Sequence, residues 1–257
     1  MKVFKNIRKR LWLFWLSRAR DKVMKHHVSS FFSGDGLTLN GTQVQPIDIV
    51  PLRRNFTLDV QALSHLFLLL NDSSVVVVER TKTGVDGSPP GVYLESNHPF
   101  IEKGHVNCVG IYENDNHGLF VDGVYIDHVF FDKKAGGAPD KLGTVGFFLL
   151  AYMAYETDLE EITLLAGGGA PKHAADWAIP NMVGYKVWPK FGFNAPLEPD
   201  EVKNAPHLSS CKTVWDVIRI DAAWWEDTDG NGRVMRFDLS PFSKSWRVLL
   251  SYIKHAL

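Results

Sequence analysis

The fold of this chain depends on residues 118–171, GLFVDGVYIDHVFFDKKAGGAPDKLGTVGFFLLAYMAYETDLEEITLLAGGGAP. β-branched and aromatic residues from Phe120 to Phe131 predict a strand, and the apolar run Thr144–Tyr155 predicts a helix. A second strand is predicted at Glu161–Ala166, where a run of three glycines follows. Between the first strand and the helix lies a turn rich in glycine and lysine. The first-turn amides of a helix lack helical acceptors, so this turn is typical of an anion-binding site.

The segment that follows ends in MVGYKVWPKFGF, residues 182–193. The order of elements and this ending resemble the GNAT superfamily of N-acetyltransferases, which use acyl-CoA. In that family a V-shaped opening between two neighbouring parallel strands admits the CoA arm. The late signature of the family is Tyr-x-x-x-Gly-Phe. Gly192 and Phe193 match it, and Trp188 stands at the position of the tyrosine. The resemblance covers residues 47–197.

The resemblance implies acetyl-CoA or another acyl-CoA as co-substrate, with its pyrophosphate held by the turn after the first parallel strand. The family motif there is Arg/Gln-x-x-Gly-x-Gly/Ala. Aligned on Gly143, it puts Asp140 at the basic position and Val145 at the final small position; aligned on Gly146, it puts Gly143 and Phe148 there. The helix N-terminus and nearby charge then predict the following cofactor-binding residues: Lys133, Lys141, Gly143, Thr144, Val145 and Gly146.

Two neighbouring polar residues, Asp127 and His128, interrupt the first apolar strand, where burial without a partner is costly. Strand alternation predicts that their side chains point to opposite faces. In an acetyltransferase this strand commonly supplies the general base, and either residue suits that role; the alternative is a hydrogen bond to a neighbouring loop. Tyr185 is the candidate general acid for the departing thiolate. Trp188 lacks a usable acidic proton and is better interpreted as core.

The sequence predicts an α/β fold with a GNAT-like mixed sheet of about six or seven strands flanked by helices. The predicted parts are a basic, aromatic N-terminal helix (residues 1–32), a linker (33–46), an acyltransferase domain (47–197) and a C-terminal extension (198–257). The extension is expected to form a β-hairpin and a closing helix.

Charge is distributed unevenly along the chain. Residues 1–25 contain nine basic residues and one acid, which leaves 19 basic and 28 acidic residues, a net charge of −9, for the remainder. Within this basic helix the aromatic residues Trp12, Phe14 and Trp15 are not confined to one stripe. The helix is interpreted as packing its tryptophans on the protein body; the alternatives are an anionic membrane, a nucleic acid or a partner protein.

The C-terminal segment Asp227–Asp238 has the ligand spacing of an EF-hand calcium loop. A β-hairpin turning at DGNG is the favoured interpretation, because Pro241 follows the loop where an exiting helix would have to start. Calcium is therefore considered unlikely here, and no other metal spacing is expected.

Two cysteines and no long apolar run favour a reduced, cytoplasmic protein. The sequence contains no Ser nucleophile elbow, Walker loop or His-Glu-x-x-His motif. The function indicated is acyl transfer from acyl-CoA to an amine on a small molecule or a protein. Two alternatives remain open: a non-catalytic module with a decayed cofactor site, and an effector-type transferase that acts on a macromolecule.

Overall fold

The computed structural model describes residues 2–44, 47–49, 56–84, 86–116, 119–132, 134, 137–176, 182–198 and 200–257. Over these ranges the chain has an α/β fold, in which helices pack on a mixed sheet of eight strands. The predicted class, a mixed sheet flanked by helices, is confirmed.

The helices and strands of the described chain have the following bounds. The α-helices are α1 (Lys2–Met24), α2 (Val60–Phe67), α3 (Leu142–Glu156), α4 (Gly184–Val187), α5 (Val214–Ala223) and α6 (Lys244–Ala256). The strands are β1 (Thr38–Leu39), β2 (Thr42–Gln43), β3 (Ile47–Ile49), β4 (Phe56–Leu58), β5 (Ser74–Arg80), β6 (Gly91–Asn97), β7 (Asn107–Asn116), β8 (Leu119–His128), β9 (Glu161–Gly169) and β10 (Asn231–Asp238). Short 3-10 helices cover His27–Phe32, Pro171–Asp176, Trp188–Phe191 and Pro206–Leu208, and Trp224–Asp229 is a π-helix.

The main sheet has the strand order β10-β9-β8-β7-β6-β5-β1-β2, and β3 pairs separately with β4. Strands β5 to β8 form an antiparallel meander. β8 and β9 are parallel neighbours, and α3 connects them as a crossover helix. The predicted parallel strand–helix–strand unit is thus confirmed, although α3 begins at Leu142, two residues before the predicted start. The segment predicted as a linker contributes β1 and β2 to the sheet.

Helix α3 is apolar on nearly all sides because it lies inside the protein, between the sheet and other helices. On its sheet side, the ring centroid of Phe147 lies 5.2 Å from Phe193 and 5.7 Å from Phe237. On another side, a Cβ at Gly146 would lie 2.6 Å from Cζ of Phe32. A Cβ at Gly143 would lie 3.5 Å from Cδ2 of Phe131, which follows β8, so the N-terminus of α3 lies near the carboxyl end of that strand.

Helix α1 packs on the body through one face. Trp12, Leu16 and Val23 are buried, and Trp12 meets Trp246 with ring centroids 6.1 Å apart. Trp15, by contrast, is 58% exposed, so the expectation that the tryptophans pack on the body holds for Trp12 alone of these two. Among the described helices, none combines the length and apolar content required to cross a bilayer.

The predicted C-terminal β-hairpin is wrong. Residues Trp224–Asp229 form a π-helix, and the following strand, β10, pairs antiparallel with β9 at the edge of the main sheet. Trp225 is buried and donates its indole N–H to the Tyr185 carbonyl at 3.0 Å, which holds this turn in a helical conformation. The extension is therefore part of the main sheet. The predicted closing helix is confirmed as α6.

Candidate functional site

Strands β8 and β9 stop pairing before either strand ends. Their parallel ladder joins Gly123–Ile126 to Glu161–Leu164, whereas β8 continues to His128 and β9 to Gly169. Beyond Leu164, β9 keeps its antiparallel partner β10 as far as Gly169. The parallel pair therefore opens towards its carboxyl end, which is where ligands bind in sheets that contain parallel strands.

A β-bulge lies at this opening. Cys108 on β7 is opposite His128, and the next residue, Val109, is opposite Ile126, so Asp127 is an extra residue in β8. The bulge interrupts the two-residue alternation of the strand, and Nδ1 of His128 lies 2.9 Å from Oδ1 of Asp127. The predicted placement of these two side chains on opposite faces is consequently wrong.

Asp127 is almost fully buried and forms an ion pair. Nη2 of Arg80, at the end of β5, donates to its Oδ2 at 2.6 Å. Burial would raise the pKa of Asp127, but His128 and Arg80 together outweigh burial and hold that pKa well below its ordinary value. The Arg80 guanidinium lies over the Tyr93 ring, 3.9 Å from its centroid, which fixes the position of this charge.

His128 is 44% exposed, so one edge of its ring is open to solvent. The contact with Asp127 is close in distance but lacks the alignment of a hydrogen bond, because Oδ1 has no aligned donor among the described residues. The Asp127 carboxylate raises the pKa of His128 above 6.5. Since Nδ1 faces Asp127, Nε2 is the nitrogen available to a ligand. A histidine oriented by a carboxylate in this way can act as a general base.

The N-terminus of α3 lies beyond the same end of β8. Leu142 and Val145 donate their amides to the carbonyls of Pro139 and Lys141, at 3.2 and 2.9 Å. Within the described chain, the amides of Gly143 and Thr144 have no acceptor. Lys141, with φ of +68°, precedes the helix, and its Nζ lies 3.6 Å from the Asp140 carboxylate. Free amides at a helix N-terminus are groups of the kind that can bind an anion.

The predicted cofactor-binding residues occupy different environments. Gly143 and Thr144 lie at the N-terminus of α3, where Thr144 is buried, and Lys141 precedes it. Val145 and Gly146 are buried in the first turns of α3, with Gly146 against Phe32. Lys133 lies outside the described residues.

Tyr185 is held by a structural hydrogen bond. It is buried on α4 and donates its hydroxyl to the Glu226 carbonyl at 2.6 Å. Burial raises the pKa of this hydroxyl. Trp188 packs on Phe147, with ring centroids 5.8 Å apart, in agreement with its interpretation as a core residue. Tyr185 therefore links α4 to the π-helix, and its proton is already donated.

Sequence reasoning missed Arg80 and Cys108. Two features of the sequence could have indicated Arg80. It is a basic residue at the end of an apolar strand, and the acid Asp127 in another apolar strand requires a cation when it is buried. Sγ of Cys108 lies 3.5 Å from Nη2 of Arg80. Burial raises the pKa of the Cys108 thiol, which favours its protonated form.

The potential calcium loop contains no cluster of metal ligands. Asp229 accepts from Nζ of Lys172 and contacts Nε2 of His173, both at 2.7 Å. Asn231 begins a sheet strand, and Asp238 accepts from the Ser240 amide. In the described part of the chain, no group of three or more potential ligands is arranged to hold a metal ion.

Comparison of the chain with known protein families, curated proteins and solved structures finds no match.

Proposed function

We propose that this chain is a divergent GNAT-type acyltransferase that moves an acetyl or other acyl group from acyl-CoA to an amine. The observation that carries the proposal is the opening of the parallel pair after Ile126 and Leu164, where α3 begins and Asp127 and His128 meet. The opening is of the kind that admits the CoA arm in the family that the sequence resembles. A helix terminus suited to an anion and a histidine suited to proton transfer thus lie towards one end of the same strand.

The pyrophosphate of the co-substrate is assigned to the amides of Gly143 and Thr144. These two groups are free in the described structure and lie at the positive end of the α3 dipole. Lys141 adds positive charge beside them, and Lys133 remains a predicted contributor. Backbone amides bind an anion whatever the local side chains are, so the site does not require the basic residue of the family motif.

His128 is assigned the proton transfers. An acyl thioester supplies an activated carbonyl group, which a neutral amine attacks with release of a thiol. The acceptor ammonium first releases one proton to solvent; Nε2 of His128 then takes the proton that the nitrogen loses as the amide forms, and the imidazolium passes it to the departing thiolate. Asp127 stabilises the imidazolium, as its raising of the His128 pKa indicates. Because the Tyr185 hydroxyl already donates to the Glu226 carbonyl, the role of the acid is assigned to His128 instead.

Titration calorimetry of the full chain with acetyl-CoA and with longer acyl-CoAs tests the cofactor assignment. We expect binding with a dissociation constant below about 1 mM, within the usual range for substrates. Gly143→Glu should weaken it at least about tenfold, or 1.4 kcal/mol, by placing an anion at the amides. Gly143→Ala is the matched control and should bind normally, since its Cβ would lie at an ordinary distance, 3.5 Å, from Phe131.

His128→Gln separates catalysis from binding. We expect this variant to bind acyl-CoA like the parent chain and to lose acyl transfer to amines by about a hundredfold or more. No binding of any acyl-CoA at about 1 mM would overturn the proposal. Binding without measurable transfer by the parent chain would instead favour the second candidate, a non-catalytic module of the same fold. The engaged Tyr185 hydroxyl is the observation that favours that candidate.

A further inference from the structure

Helix α1 exposes an apolar face that the protein body does not cover. Leu11, Phe14 and Trp15 are 55%, 55% and 58% exposed, and Arg18 follows them on the same face. Their spacing of i, i+3, i+4 and i+7 aligns them along one side of the helix. We call these four residues the outward face of α1. Three adjoining large apolar side chains in water are unusual for a solitary protein and are typical of an interaction surface.

The outward face is held in a fixed orientation. The neighbouring side of α1 buries Trp12 and Leu16 in the core, and Trp12 contacts Phe242 with ring centroids 4.5 Å apart. Phe242 itself is 43% exposed and has φ of +64°, a conformation that is costly for a bulky residue. Phe242 thus adds an exposed apolar ring beside Trp12, just before α6 begins.

Cations accompany these apolar side chains. The Arg18 guanidinium lies 4.7 Å from the Phe14 ring centroid and 5.6 Å from that of Trp15. Lys22 is exposed further along the helix, Lys25 is exposed just after the helix ends, and Lys244 and Arg247 are exposed on α6. In the sequence, residues 1–25 carry nine basic residues and one acid, against a net charge of −9 for the rest. The basic end of the protein thus coincides with its exposed aromatic face.

We propose that the outward face of α1 docks on an anionic lipid surface, with the helix parallel to the membrane plane. Tryptophan and phenylalanine rings insert at the boundary of headgroups and acyl chains, while arginine and lysine reach the lipid phosphates. The rest of the protein is acidic and is repelled by the anionic membrane, so the protein binds in one orientation. A nucleic acid would attract the cations, but its phosphates would not bury an exposed apolar side chain such as Leu11. The amount of apolar surface therefore favours lipid.

The test is co-sedimentation of the full chain with vesicles of phosphatidylcholine alone and of phosphatidylcholine with phosphatidylserine. We expect binding to the anionic vesicles, weakened by salt, and little binding to the neutral ones. The triple variant Leu11→Ser, Phe14→Ser, Trp15→Ser should bind at least about tenfold more weakly. Val234→Ser, which removes a similarly exposed apolar side chain from β10, is the matched control and should bind like the parent chain.

Quenching by brominated lipid provides a second readout that does not depend on the triple variant. Tryptophan fluorescence of the parent chain should be quenched by brominated anionic vesicles, and the quenching should fall in Trp15→Phe. Equal vesicle binding by the parent and triple-variant chains would overturn the proposal, as would no binding by either. Binding to a DNA or RNA oligonucleotide in preference to the vesicles would assign the surface to nucleic acid. None of these results depends on acyl transfer.

Discussion

At the scale of single residues, the site depends on the extra residue in β8. Without the bulge at Asp127, His128 would face the other side of the sheet. With it, His128, Asp127 and Arg80 form a chain of contacts across the ends of two strands. A buried carboxylate with two basic neighbours stays ionised, and this ionised group raises the pKa of His128.

The first prediction concerns that pKa. Titration of His128 by NMR should give a pKa above 6.5, and Asp127→Asn should lower it because the carboxylate charge is removed. In an active enzyme kcat/KM rises with pH as the base loses its proton. The rising limb of the plot of kcat/KM against pH should therefore move to lower pH in Asp127→Asn. Its plateau should also fall, since a weaker base accepts the proton less readily. Asp200→Asn, at an exposed acid, should change neither quantity.

A second prediction contrasts two glycines of α3. Gly146→Ala should lower the free energy of unfolding by about 1–3 kcal/mol, because its Cβ would lie 2.6 Å from Phe32. Gly143→Ala has ordinary space and should be neutral or stabilising by up to about 1 kcal/mol, since alanine favours helix. Urea unfolding measures both. Equal effects would show that the approach of Phe32 to α3 is not tight. Because Gly146 is buried, its substitution reports on folding and not on CoA binding.

At the scale of elements, Tyr185 and Trp225 connect α4 with the π-helix. The Tyr185 hydroxyl donates to Glu226, and the Trp225 indole donates to the Tyr185 carbonyl. These two bonds hold segments that are 40 and 41 residues apart in sequence. They explain why Trp224–Asp229 does not extend into the strand that the sequence predicts.

The third prediction tests whether Tyr185 is structural. Tyr185→Phe keeps the ring and leaves the Glu226 carbonyl without its donor, so the free energy of unfolding should fall by about 1 kcal/mol. The turnover of any acyl transfer should stay within about tenfold of the parent. A loss of a hundredfold or more at unchanged stability would instead assign Tyr185 as the general acid. Unfolding and steady-state kinetics on the same preparation give both values.

At the scale of the whole molecule, a buried histidine couples folding to pH. His65 on α2 is fully buried, and neither ring nitrogen has an aligned hydrogen-bond partner within the described structure. Burial, with a smaller effect of Arg20, lowers the pKa of His65 to about 4. Between about pH 6.5 and pH 4, His65 therefore binds a proton in the unfolded chain but stays neutral in the folded chain.

The fourth prediction follows from the sign of this difference. The stability due to neutral His65 is complete above pH 6.5 and is lost as the pH falls towards 4, a loss of about 3 kcal/mol. Asp127, whose pKa is depressed, adds a further loss below pH 3.8. Urea unfolding at pH 7 and 4.5 should show the first loss in the parent chain and much less in His65→Met. The same loss in both would assign the acid sensitivity to other groups.

By itself, the sequence determined the succession of strand, helix and strand in β8, α3 and β9, the apolar character of α3 and the closing helix α6. These features follow from the pattern of apolar residues in continuous segments, because that pattern places the apolar side chains where folding buries them. It also marked Asp127 and His128 as unusual. Only the tertiary structure decided that these two side chains meet and that Arg80 joins them. Arg80 is 47 residues from Asp127 in the chain, and the bulge depends on how β7 pairs with β8. The same holds for β10, which alternates like a hairpin strand but pairs with β9, since pairing depends on partners and not on local pattern.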